Sequence, residues 1–133
     1  MSVVAFPDIE TVLVEWVGDV LDARSLSQPV STRVPNPRPS RFVRIQRTGG
    51  PQANVVVDGA QVTFECWDDN QPDAAETARV LRAELAAIRN TTTGSGHLMY
   101  RTDEFSGPSL LPDVSGQPRY SWTVRVHVRG VSL

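Results

Sequence analysis

A change of hydrophobic period in the middle of the chain constrains the fold more than any other feature. From Gln61 to Trp67 apolar and polar residues alternate, which is the period of a half-buried strand. From Ala74 to Ile88 the apolar residues instead recur at the spacing of a helix. Pro72, between them, suits the first turn of a helix. The sequence therefore predicts a strand that leads directly into a helix.

Two further segments have a clear period. An amphipathic helix is predicted from Ile9 to Ala23, because apolar residues recur at i, i+3, i+4, i+7 and i+8 and Asp8 stands where an N-cap belongs. Tyr120 to Val128 alternates strictly and predicts the last strand.

Proline, glycine and turn residues divide the rest of the chain. The predicted elements are a short extended piece Val30–Val34, a strand Arg41–Arg47, a hairpin turn at Asp58–Gly59, a short strand His97–Arg101 and a long polar loop Thr102–Pro118. Such a loop is rich in glycine and proline, and we expect it to order only against a neighbouring molecule.

This order of elements predicts an α+β fold. Helices packed on one face of a largely antiparallel or mixed sheet bury the apolar side of both elements. A length of 133 residues favours one domain, residues 1–133. The apolar fraction of 40% predicts a modest core, so other subunits are expected to cover some apolar surface.

The composition argues against several classes of function. A net charge of −2 is unlike that of a dedicated nucleic-acid-binding protein. All 13 basic residues are arginine, so no lysine is present for a Schiff base or a phosphate-binding loop. One cysteine cannot form an internal disulfide, no apolar run approaches the length of a membrane span, and the N-terminus lacks signal-peptide features. We expect a soluble protein that works in a cytoplasm, away from membranes.

The stretch "ECWDDN" holds the most suggestive side chains. Cys66 lies in phase with the apolar face of its strand and is followed by acidic residues, so we expect an inert core cysteine. Asp68 and Asp69 lie where the strand ends and the helix begins, where they can cap backbone amides. A magnesium site at this carboxylate pair remains an alternative.

His97 and His127 have no cysteine or second histidine at metal-ligand spacing, which argues against zinc. No "GxSxG" motif accompanies them, although a Ser-His-Asp arrangement stays open. We predict no catalytic, cofactor or metal site and expect a protein that is not an enzyme.

The arginines are the best candidates for a functional surface. No acidic residue occurs between Asp22 and Asp58, whereas this segment carries Arg41, Arg44 and Arg47. One interpretation is protection of a sheet edge by charge, and a second is a subunit interface in which these arginines meet carboxylates such as Asp68 and Asp69. Contact with nucleic acid is a third. For a subunit interface we expect most of these arginines to be paired with carboxylates of the same or an adjacent subunit.

Several segments together resemble the tail terminator, or tail-completion, proteins of long-tailed phages of actinobacteria. They are "VSTRVPNPRPSRFVRIQRTGG", "VTFECWDDN", "AAETARVLRAELAAI" and "QPRYSWTVRVHVRG", which span nearly the whole chain. None of these motifs is diagnostic by itself, and neck proteins of similar size are similar in pattern.

The resemblance implies a structural protein of the virion. Such proteins form a ring, usually a hexamer, on the head-proximal end of the tail tube, where they stop polymerisation of the tube protein and bind the head-completion or connector protein. It further implies assembly in the host cytoplasm, passage of DNA through the ring without specific binding, and no cofactor. A head-completion or neck connector protein, or a small nucleic-acid-binding module, are the alternatives.

Overall fold

Two helices begin and end close to where the sequence places them. The computed structural model describes residues 3–133. Helix α1 spans Ile9–Ala23, and the Asp8 carboxylate accepts a hydrogen bond from the Glu10 amide at 3.1 Å. Helix α2 spans Gln71–Ala86 and is capped by Asn70. Both predicted helices are confirmed.

Within residues 3–133 the chain also forms nine strands. They are β1 (Val4–Ala5), β2 (Val30–Ser31), β3 (Phe42–Gly49), β4 (Val57–Trp67), β5 (Thr91–Thr92), β6 (Leu98–Glu104), β7 (Ser109–Leu110), β8 (Arg119–Arg129) and β9 (Val131–Ser132). Seven form one sheet in the order β2-β3-β4-β8-β6-β5, with β7 also paired to β8, and β1 pairs with β9. Only the β2–β3 pair is parallel, so the sheet is mixed but largely antiparallel.

The core lies between the two helices and one face of this sheet. Strands β4 and β8 pair along their whole length, from Val57 opposite Arg129 to Trp67 opposite Arg119. The even-numbered residues of both strands face the helices and are apolar through the middle of the ladder, as at Phe64 opposite Trp122. The two helices therefore pack on one face of the sheet, and the predicted α+β fold is confirmed.

The predicted hairpin turn at Asp58–Gly59 is wrong. Both residues lie inside β4, and the chain reverses between Gly50 and Val56 instead. Gly49 and Gly50 have φ of 128° and 92°, which permits the turn. Gly59 leaves room for the Arg125 guanidinium on the neighbouring strand, which a Cβ at this position would displace.

The predicted long loop Thr102–Pro118 is also wrong in its extent. Strand β6 continues to Glu104, and β7 returns to the same side of β8, with Leu110 opposite Tyr120. The segment is thus an edge strand broken by residues 105–108, followed by a shorter loop. The pieces predicted at Val30–Val34 and His97–Arg101 are present with shifted ends, as β2 and β6.

Cys66 belongs to the core, as predicted. It is 1% exposed, and burial raises the pKa of its thiol far above the ordinary value, with the charge of Glu65 adding to the rise. We expect a thiol reagent to label native protein far more slowly than unfolded protein. Cys66→Ser should lower the free energy of unfolding by about 1–3 kcal/mol, because a buried hydroxyl is left without a partner. Labelling of native protein at the rate of a free thiol would contradict this assignment.

Candidate interface site

The three candidate arginines are all paired within the subunit. Arg41 donates to Asp68 at 2.8 Å, and Arg44 donates to Glu65 at 3.2 Å. Arg47 donates to Asp58 at 2.8 Å and 3.3 Å. The expected pairing with carboxylates is confirmed, and its partners lie in the same chain.

Arg47 holds the strand ends of β3 and β4 together. Asp58 is buried, with 3% of its side chain exposed, and Arg47 makes its ion pair. The same guanidinium donates to the carbonyl oxygens of Gly49 and Gly50, and the Arg47 amide donates to Glu10 of α1 at 2.8 Å. These contacts close the bulged end of β3, so Arg47 stabilises the fold and presents little free charge.

Asp68 and Asp69 have different roles. Asp68 is 4% exposed, and its carboxylate accepts from Arg41 and from the Asp69 amide. Asp69 is exposed at the entrance to α2. Within residues 3–133, no group of three His, Cys, Asp or Glu side chains is placed to hold a metal ion. Asp68 is thus engaged inside the subunit at the end of β4, and Asn70, rather than either carboxylate, caps α2.

The face of the sheet opposite the helices is polar and is covered by no helix. We call it the open face and define it by the odd-numbered residues of β4 and β8, with Phe42, Arg44 and Gln46 of β3 and Arg101 and Asp103 of β6. Thr63 and Thr123 are hydrogen-bonded across its centre at 2.9 Å. The sequence indicated alternation in each strand, but the open face as a unit depends on strand order, which local sequence patterns do not specify.

Charge on the open face is unbalanced. Its charged residues are five arginines and two carboxylates, a net charge of +3 with His127 neutral: Arg44, Arg101, Arg119, Arg125, Arg129, Glu65 and Asp103. Arg125 and Arg129 have no ion-pair partner in the part of the chain described by the structure, and Arg129 is exposed. Sequence reasoning missed Arg101, Arg125 and Arg129, since their proximity follows only from the pairing of β6 with β8.

His127 lies buried on the open face, in contact with a carboxylate from β6. Its Nε2 lies 2.7 Å from Asp103 Oδ2, and its side chain is 8% exposed. The hydrogen bond from His127 lowers the pKa of Asp103, and the charges of Arg101 and Arg125 add to this effect. Asp103 is therefore ionised at neutral pH, and the pair ties β6 to β8.

An aromatic stack closes one end of the open face. The rings of Phe42 and Trp67 stack at 4.9 Å, and the guanidinium groups of Arg38 and Arg119 lie over Trp67 at 5.3 Å and 5.0 Å. Arg38 also donates to Asp113.

The contact of Arg38 with Asp113 anchors part of the segment Thr102–Pro118, which is expected from its composition to order only against a neighbouring molecule. Arg38 also bonds Ser115 at 2.9 Å, and Gln117 donates to the Ser40 carbonyl at 3.0 Å. The loop after β7 is therefore held to the loop before β3 within one subunit. These contacts lie within one subunit and favour order of this segment without a neighbour, against the expectation drawn from its composition.

The outward side of α1 carries charge of the opposite sign. Residues 9–23 contain Glu10, Glu15, Asp19 and Asp22 and no basic residue. Hydrogen bonds from the hydroxyl and amide of Ser95 lower the pKa of Glu15. Asp19 and Asp22 are exposed and form no ion pair with any residue from 3 to 133. The subunit is thus basic on the open face and acidic on the far side of α1.

The sequence matches no known protein-family model and no curated protein. No helix in the described part of the chain has the length and apolarity needed to span a membrane.

The buried ion pair of Arg47 with Asp58 predicts that loss of Arg47 lowers stability more than loss of the exposed Arg101. Arg47→Met should lower the free energy of unfolding by about 3 kcal/mol, because Asp58 is left buried without a counter-charge. Arg101→Met removes an exposed pair with Asp103 and should cost no more than about 1 kcal/mol. Urea unfolding of both variants measures the difference. Equal midpoints would show that Arg47 is not a structural residue.

Proposed function

We propose that this protein is a non-enzymatic component of a phage tail that caps the head-proximal end of the tail tube as a homo-oligomeric ring. In this role it ends polymerisation of the tube protein and offers the surface to which the head-completion or connector protein binds. DNA passes through the ring without specific binding. The protein assembles in the host cytoplasm and remains in the virion.

The placement of exposed apolar side chains carries this proposal. Among residues 3–133, nine large apolar side chains are exposed, and eight of them lie toward the two ends of the β4–β8 ladder. The ninth, Phe105, lies beside the middle of β8, where its amide donates to the Thr123 carbonyl. We call the first group the hairpin end: Val3, Val55, Val56, Val131 and Leu133. We call the second group the loop end: Leu110, Leu111 and Val114. Exposed apolar patches of this kind mark surfaces that other proteins cover.

The two ends are separate and different. The ladder between them runs for ten residue steps, about 33 Å at the rise of an extended strand. A subunit with one apolar surface at each end is suited to contact one partner below and a different one above. In the proposed ring these partners are the tube protein and the connector protein.

Two alternatives remain and are distinguishable. A neck connector protein would use the same kind of surfaces, but loss of its gene should leave unattached tails of normal length. Loss of a terminator should leave unattached tails that are overlong. The net charge of +3 on the open face favours a nucleic-acid-binding module as the second candidate. Strong, salt-dependent binding of DNA by the purified protein would support it.

Polymerisation of the purified tube protein tests the proposal. We expect wild-type protein, added in small molar amounts, to shorten the tubes seen by electron microscopy. Of two double variants, Val55→Ser with Val56→Ser and Leu111→Ser with Val114→Ser, one should lose this effect and the other should retain it. The variant that still shortens the tubes should instead fail to bind the connector protein, because each end contacts one partner.

Both variants alter exposed residues, so unchanged thermal unfolding is the control for folding. Tube lengths that do not change with wild-type protein would contradict a capping function. Capping by both variants at the wild-type level would contradict the assignment of the two ends.

A further inference from the structure

Opposite faces of one subunit carry opposite charge. The open face has a net charge of +3, and α1, on the other face of the sheet, has a net charge of −4 over residues 9–23. Because α1 covers the opposite face, its acidic side points away from the open face. One subunit therefore presents a basic surface in one direction and an acidic surface in the other.

Part of the charge on each surface is free to engage another molecule. On the open face Arg44 is occupied by Glu65. Arg101 pairs with Asp103 but is 57% exposed, and Arg129 is exposed without an ion pair within residues 3–133. On α1, Glu10 and Glu15 accept hydrogen bonds within the subunit, at Arg47 and Ser95.

Asp19 and Asp22 are the free acids of the helix. They are three residues apart, so both lie on one side of α1, about one turn from each other. Two exposed carboxylates on one copy thus complement two exposed guanidinium groups on the next.

We propose that the open face of one copy of this chain docks against α1 of a second copy, with Arg101 and Arg129 facing Asp19 and Asp22. This inference rests on the proposed ring and names its lateral contact. The contact joins two different surfaces, so it is head-to-tail, and in the proposed ring the rotation between successive copies closes it. The open face is polar, so this contact contributes register and salt dependence, while the apolar ends serve the other partners.

Two charge-reversal variants test the contact. The first, called the helix variant, carries Asp19→Arg and Asp22→Arg. The second, called the sheet variant, carries Arg101→Asp and Arg129→Asp. Each places like charges across every contact in a ring of its own kind. We expect each variant alone to need a protein concentration higher by about tenfold or more for assembly, measured by sedimentation velocity at low salt.

An equimolar mixture of the two variants distinguishes this contact from general charge effects. In a ring with an even number of subunits that alternates the two variants, every open face meets an α1 of opposite charge. The mixture should therefore sediment as wild type does. A control variant, Asp69→Arg with Glu76→Arg, changes the net charge by the same amount as the helix variant but at the start of α2. It should assemble normally.

Each outcome decides between the two proposals. Wild-type protein that stays monomeric at every concentration would overturn the ring itself. Wild-type assembly that both variants retain, or variants that fail singly and are not restored by mixing, would overturn this contact and leave the ring intact. If the sheet variant assembles normally but loses binding to duplex DNA, the open face is a nucleic-acid surface and the proposal is wrong.

Discussion

The pairing of β4 with β8 determines which side chains meet in this protein. Each strand has 11 residues, and they pair from end to end without a register shift. Because side chains alternate across a strand, this register places the apolar residues of both strands under the two helices and the polar ones on the open face. A shift of β4 by one residue would expose Phe64 and bury Glu65.

Three kinds of surface follow from that ladder. Its two ends carry most of the exposed apolar side chains, its open face carries excess arginine, and the helix face places α1 outward with its carboxylates. The arginines nearest the core are neutralised within the subunit, as Arg47 is by Asp58. The remaining charge lies on exposed side chains, where ion pairs contribute little to subunit stability. This distribution suits a subunit that is covered by copies of itself and by two other proteins.

Local patterns in the sequence predicted the elements better than their partners. Helix α1 was predictable because its period and the Asp8 cap are local. Asp58–Gly59 was misread as a turn because the reasons for both residues are distant: Asp58 pairs with Arg47, and Gly59 leaves room for Arg125. The pairing of the candidate arginines was expected, but the exposed arginines of the open face, Arg101 and Arg129, come together only through the register of β6 on β8. The order of residues 113–117 depends on Arg38, which is distant in sequence.

Electron cryomicroscopy of the phage neck tests the central claim most directly. The ring at the head-proximal end of the tail tube should contain copies of this fold. The loop and hairpin ends should face the tube and the connector, in one order or the other, and the open face of each copy should lie against α1 of the next. Density for a different protein at that position, or copies that leave both the open face and α1 in solvent, would contradict it.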